Sequence, residues 1–326
     1  MGHETAHASD PDAGPDEILL IHTAPRAMNR RHFLQSTGAA LAAATLTPLA
    51  SAQNAPAKKR PLKKAVNLGM AKAPGASVMD RFKMIKDAGF DGVELNRPDA
   101  IPLDEILKAR DATGLEIAGV ICSTHWGKPL SANEPEVVAA GVKGLRLALA
   151  EAGELGCPKL LLVPGVVKKD ISYDDCWKRS VTQIKEAVPY AEKAKCKIGI
   201  ENVWNQFIID PMSAARFVDE IGSPWVGWHL DFGNLVTYGW PEHWTRILGP
   251  RVINLHIKEY SRKKRDAEGP YKGFQVELGE GDNDWAATMK AVDDIGYQGY
   301  GILEVPGGDA TRLKFLAERT DQLFAS

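Results

Sequence analysis

The chain has 326 residues, 44% hydrophobic and 25% charged, proportions that fit a soluble globular protein and leave out low-complexity and fibrous classes. A formal net charge of −2 gives no electrostatic reason to expect nucleic acid or an anionic membrane as partner. Cys122, Cys157, Cys176 and Cys196 show neither CxxC nor Cys/His ligand spacing, which argues against structural zinc, and no disulfide is indicated.

Residues 1–27 carry no periodic pattern. Met28-Asn-Arg30-Arg31-His-Phe33-Leu34 then leads into a mild Ala/Leu/Thr/Gly run that closes on Ala50-Ser-Ala52, the small-x-small pattern of a signal-peptidase site. The arrangement resembles a twin-arginine export signal and implies a periplasmic or secreted protein maturing near Gln53, with Met1 and Met28 both open as the start. The apolar run is too short and diluted for a transmembrane anchor, which needs about 20 strongly apolar residues. Residues 53–64, rich in Lys, Pro and Ala, read as a solvated linker.

From residue 65 short apolar runs alternate with amphipathic ones. Strands are expected at 65–70, 92–97, 116–123, 159–164, 196–203, 226–232, 252–258 and 299–305. Helices are expected at 77–88, 102–113, 135–155, 173–195, 211–221, 241–248, 284–295 and 310–324. Asp210-Pro211 supplies a helix start, and Gly89, Gly114 and Gly296 supply stops. Eight such units in about 260 residues predict an α/β fold, a single (β/α)8 barrel over 65–326. No glycine-rich first turn favours a doubly wound sheet.

Four strands end on a charged or ionisable residue: Ile198-Gly-Ile-Glu201, Gly227-Trp-His-Leu-Asp231, Val252-Ile-Asn-Leu-His256 and Gly301-Ile-Leu-Glu304. Burying such groups is costly without compensation. In a closed parallel barrel they converge, and three carboxylates with one imidazole form an oxygen-rich cage for a divalent cation. The bland alternative is four unrelated buried ion pairs. Period-2 alternation turns Glu94, Asn254, His256, Lys258 and Glu304 toward the barrel axis.

These runs, with Asn202, Asp231-Phe-Gly-Asn234, Lys258-Glu259 and Leu278-Gly-Glu280-Gly-Asp-Asn-Asp-Trp285, resemble the xylose isomerase-like barrels, the sugar and sugar-phosphate isomerases and epimerases. The resemblance implies one divalent metal (Mn, Mg or Co, with Zn an alternative) on Glu201, Asp231, His256 and Glu304. It also implies Glu201 and Glu304 as paired acid and base on a small carbohydrate. Asn234 stands where many epimerases of the family carry a histidine that helps hold substrate, so it is retained here as a substrate-binding position.

Lys258 could steady an enediolate or act as a counter-ion to Glu280 or Glu259. Glu94, His125 and Trp126 are substrate-binding positions, with a lysine partner or a loop cap over the core as the alternatives. His229, deeper in its strand, reads as a supporting residue. Arg262-Lys-Lys-Arg265 is the nearest basic run to the site, and there is no arginine cluster for a substrate phosphate. The expectation is a metal-dependent isomerase or epimerase of an unphosphorylated sugar or keto-sugar, with a lyase on a keto-sugar, keto-glycoside or keto-inositol as the alternative. A homo-oligomer is left open.

Overall fold

The computed structural model describes residues 60–326. The export signal read at 1–52 and the first part of the linker, 53–59, lie outside the described residues. Eight parallel strands close into one barrel in chain order: β1 (Leu62–Asn67), β2 (Gly92–Arg97), β3 (Glu116–Cys122), β4 (Lys159–Leu162), β5 (Lys197–Glu201), β6 (Val226–Asp231), β7 (Val252–Ile257) and β8 (Gly299–Leu303). The register Leu62↔Gly299 through Val66↔Leu303 joins the last strand to the first. Closure matters for function because it turns the C-terminal ends of all strands toward one mouth.

Eight main helices, α1 (Val78–Asp87), α2 (Leu103–Thr113), α3 (Pro135–Glu154), α4 (Tyr173–Ala194), α5 (Pro211–Ile221), α7 (Pro241–Leu248), α9 (Trp285–Asp294) and α10 (Ala310–Ala325), follow the strands in turn. Two shorter ones interrupt the pattern: α6 (Phe232–Val236) after β6 and α8 (Arg262–Glu268) after β7. Their starts are chemically legible. Ser77 and Asp80 form a reciprocal capping box, and Asp210 accepts from the amides of Met212 and Ser213 at 2.9 Å each, ahead of Pro211. Gly114 closes α2 at φ 65°, a left-handed cap that costs glycine nothing.

β1 begins three residues earlier than expected, inside the stretch read as linker. Its lysines are anchored: Lys63 Nζ lies 2.6 Å from Glu116 and Lys64 Nζ 2.5 Å from Asp321. Arg60 is also tied down, to Asp293 at 3.1 Å. A run of exposed lysines hid a strand whose alternate residues pack. Apolar side chains fill the space between strands and helices, while Ala65, Ala118, Tyr300 and Ile302 form a small cluster of their own. The four cysteines are free and buried. No helix among the described residues is long and apolar enough to cross a membrane.

Candidate metal and catalytic site

The register builds the site. Asp231 pairs with His256 across β6 and β7, and the Glu304 amide donates to the Ile257 carbonyl at 3.2 Å, so three strand ends are fixed side by side. Two residues behind Asp231, Glu201 stands level with His229. The Nδ1 of His256 is the hub: Glu201 Oε1 lies 3.0 Å away, Glu304 Oε2 3.6 Å and Asp231 Oδ2 3.9 Å. One ligand atom from each of these four residues lies within 4.8 Å of all the others. The expected quartet is therefore brought together.

Glu94 is placed differently from expectation. It is fully buried and meets the opposite nitrogen, His256 Nε2, at 3.2 Å, while Asn67 donates to its second oxygen at 3.3 Å. A carboxylate on Nε2–H fixes the tautomer that leaves Nδ1 free to ligate, the arrangement found behind metal-binding histidines. Glu94 holds the ring and has no surface for a substrate. Asn234 is likewise diverted. Its amide donates to Asp231 Oδ1 at 2.8 Å, and its Nδ2 to the Asn202 carbonyl at 3.0 Å. Its main chain thus fixes the aspartate, and its side chain is buried against Asn202.

Lys258 donates to Glu304 Oε2 at 2.7 Å and lies 3.5 Å from Asp231 Oδ2, so its counter-ions are the site carboxylates and not Glu259 or Glu280. His125 is buried, and its Nδ1 accepts from the Val163 amide at 3.1 Å. That bond makes Nε2 the protonated nitrogen. Burial lowers its pKa to about 4, against the opposing pull of Glu304, so the ring is neutral at physiological pH. Trp126 is 52% exposed and meets His125 edge-on at 5.7 Å.

The electrostatics are unbalanced. Burial, with Glu304 and Asp231 nearby, raises Glu201 to about 7 despite the His256 hydrogen bond. Burial also raises Asp231 to about 6, against the pull of Lys258. Burial would raise Glu304 too, but Lys258 and His256 outweigh it and hold the carboxyl near 2. Burial opposes a charge on His256, yet Glu94 and Glu201 carry its pKa well above the ordinary value. Asp231 Oδ2 is completely buried and receives no hydrogen bond. A buried carboxylate oxygen with no hydrogen bond, among carboxylates that outnumber the neighbouring cations, is the chemistry of a cation-binding group. Three carboxylate oxygens and one imidazole nitrogen fit a divalent ion of the Mn, Mg or Co type, with Zn less suited to so much oxygen.

Further residues complete the surroundings of the quartet. Asn202 Oδ1 accepts from the Asp231 amide and from Trp228 Nε1, both at 3.1 Å, and its Nδ2 donates to the Asp231 carbonyl at 2.8 Å. His229, expected as a supporting residue, meets His256 edge-on with ring centroids 4.1 Å apart. Phe274 lies 4.9 Å below the Lys258 ammonium and packs with Trp204 and Tyr260. Asn202 is signalled by its position directly after Glu201, while Phe274 comes from a loop 16 residues beyond Lys258 and carried no signal.

The basic run is spent on main chain. Arg262 donates to the Val236 and Gly239 carbonyls at 2.8 Å each, Arg265 to the Thr237 carbonyl at 2.6 Å and Lys264 to the Gln275 carbonyl at 2.8 Å.

Comparison with known proteins agrees with this geometry. The sequence profile of the family described as xylose isomerase-like TIM barrel matches residues 82–322. The L-ribulose-5-phosphate 3-epimerase of Escherichia coli is 23% identical over 262 residues, covering 75% of this chain and 88% of that protein. The D-allulose 3-epimerase of Methylomonas sp. superposes with a TM-score of 0.67 at 19% identity, over 80% of this chain and 98% of that one. The 3-keto-D-glucoside 4-epimerase of Escherichia coli gives 0.65 at 17% identity, over 81% and 98%. The structural likenesses establish the fold.

Proposed function

The chain belongs to the xylose isomerase-like TIM barrel family, and we propose that within it this protein is a metal-dependent sugar epimerase or isomerase. The reading is that it removes the proton next to a substrate carbonyl. The observation that carries it is the convergence of Glu201, Asp231 and Glu304 on one nitrogen of His256, with Asp231 Oδ2 left without a donor. That the relatives named above are sugar epimerases supports it.

Glu201, Asp231, His256 and Glu304 would hold the ion, which when bound would polarise a carbonyl and its neighbouring hydroxyl as a Lewis acid. The work of the chain's own residues follows. One of Glu201 and Glu304 accepts the proton from the carbon beside the carbonyl, and the other returns a proton from its own side; return on the opposite face inverts the centre. Lys258, 2.7 Å from Glu304, places a fixed positive charge where the substrate's oxygen becomes negative. The neutral His125 offers its Nε2–H to a sugar oxygen, and the exposed Trp126 indole offers an apolar face to the ring.

An unphosphorylated substrate is favoured because Arg262, Lys264 and Arg265 are committed to carbonyls of the loops. The export pattern around Arg30 and Arg31 supports the same reading, since outside the cytoplasm free sugars or their oxidised derivatives would be the substrates at hand.

The test is a panel of free keto-sugars and keto-glycosides incubated with Mn²⁺ in D₂O and followed by NMR. The expected result is deuterium at the carbon next to the carbonyl with the substrate's mass otherwise conserved. Complete retention of the original hydrogen in product would point to a hydride shift and overturn the two-glutamate reading. Splitting of the substrate would convert the assignment to the lyase alternative.

A further inference from the structure

At the opposite end of the barrel, where β4 to β8 begin, a depression of about 560 Å³ is lined by Lys159, Lys195, Lys197, Trp225, Tyr297 and Gln298, among others. No Asp or Glu lines it. Lys159 and Lys197 are register partners at the starts of β4 and β5, so their ammonium groups share one region without a carboxylate between them. Among the described residues, none of the three lysines forms an ion pair or a side-chain hydrogen bond. Lys195 holds a left-handed backbone at φ 53°, unusual for a side chain with a Cβ, as it caps α4 at the rim.

Lys159 is the informative member. It is half-buried, and its ammonium lies 5.5 Å from the Tyr297 ring centroid. Space for it is built in: a Cβ at Gly299, where φ is 150°, would lie 2.9 Å from Lys159 Nζ and 2.8 Å from the Tyr297 hydroxyl. The Tyr297 hydroxyl is itself held by donation to the Tyr300 carbonyl at 2.9 Å. Buried ammonium groups are normally paired, because desolvation is costly without an anion. Burial lowers the Lys159 pKa to about 8, with Lys197 adding repulsion, which is the signature of a cation lacking its counter-charge.

We propose that this floor depression is a binding site for a small multivalent oxyanion, a phosphate or carboxylate group, held by Lys159 with Lys197 and Lys195 at its rim. It lies at the opposite end of the barrel from the catalytic carboxylates, so sugar and anion would bind together. The inference does not depend on the proposed reaction, because it is read by binding alone.

The experiment measures thermal unfolding and isothermal titration of the full chain with inorganic phosphate and, separately, citrate, against sodium chloride of equal ionic strength. The wild type is expected to gain Tm and to bind at least one of the two oxyanions saturably, while chloride does neither. Which one binds separates a phosphate from a carboxylate ligand. Lys159→Met fills the same space without charge. It is expected to raise Tm in anion-free buffer and to weaken oxyanion binding at least about 10-fold, with Lys197→Gln weakening it about 3-fold. The opposite signs in the one variant separate a site from a generic salt effect. Equal stabilisation of wild type and Lys159→Met by oxyanion, or no saturable binding of either anion, would overturn the proposal.

Discussion

Two buried carboxylates only a few residues from the same barrel mouth are treated in opposite ways. Glu259, one residue beyond Lys258, accepts from the amides of Tyr260, Gly279 and Asn283 and from Trp285 Nε1, at 3.1, 2.8, 3.3 and 2.7 Å. Asp231, at the end of β6, has one oxygen on the Asn234 amide, while the other accepts no hydrogen bond and has only the Lys258 ammonium near it, at 3.5 Å. The loop from 278 to 285 closes around Glu259, and that carboxylate is structural. Around Asp231 the chain fixes the main chain through Asn202 and leaves Oδ2 open. The difference separates a buried charge that serves the fold from one held ready for something outside it. Burial alone does not distinguish them; the count of donors does.

The largest effects should come from the open side. Glu201→Gln and Glu304→Gln are each expected to cut turnover by at least about 100-fold, the usual contribution of a positioned acid or base. Metal content by mass spectrometry then separates loss of ligand from loss of proton transfer, and His256→Ala should lose both ion and activity with its circular dichroism unchanged. A Glu304→Gln protein that keeps ion and full turnover would end the paired-glutamate reading. Glu94→Gln should weaken metal affinity by about 10–100-fold through the histidine it holds, without touching the ion itself. Unchanged affinity would mean that Nε2 needs no partner.

The closed side should answer in stability. Glu259→Leu strands four donors and is expected to cost about 3 kcal/mol in urea unfolding, whether or not metal is present. Asp231→Asn should behave in the reverse sense, and this is the sharpest form of the contrast. Its carboxyl titrates at about 6 in the folded chain, above its ordinary 3.8. At pH 8 it is ionised in both states and its burial is unfavourable to folding. As pH falls through 6 the folded state takes up the proton first and the penalty is relieved. Metal-free Asp231→Asn should therefore be more stable than wild type by about 1–3 kcal/mol at pH 8, with the gain fading as pH falls from about 6 to about 4. Saturating Mn²⁺ should invert the order, since only the wild type offers the full ligand set. If Asn is destabilising in metal-free protein at pH 8, the open oxygen has a partner in solution and the contrast with Glu259 fails.

Much of this was legible in the sequence because barrel strands write their ends plainly. Alternation in Asn254, His256 and Lys258 gives the inward face, and the four strand ends gave the quartet that the register then assembled. What escaped needed the partner's position as well as its own. Glu94 points inward as expected, yet which atom it and Asn234 meet depends on barrel closure: Glu94 holds His256 and the Asn234 amide holds Asp231. α6 is too short to show a period and begins directly after Asp231, so the candidate ligand doubles as its cap. α8 has no buried residue, leaving no apolar stripe to read. The start of β1 was hidden by lysines whose acidic partners lie 53 and 257 positions away.

The stitching of α8 has a consequence for how the mouth opens. Arg262 and Arg265 reach across to carbonyls of 236, 237 and 239, and the Ser261 amide takes the Gly273 carbonyl at 2.9 Å. Gly273 lies so close on the Tyr260 ring that a Cβ would stand 2.4 Å from it. The loops that follow β6 and β7 are thereby fused into one cooperative unit, and neither can swing without breaking several bonds of the other. Amides of 261–275 and 236–239 should then exchange with solvent together, in a single opening event whose free energy is shared by both loops. The enzyme's breathing, on this wall of the barrel, has one hinge where a diagram of separate loops would draw two.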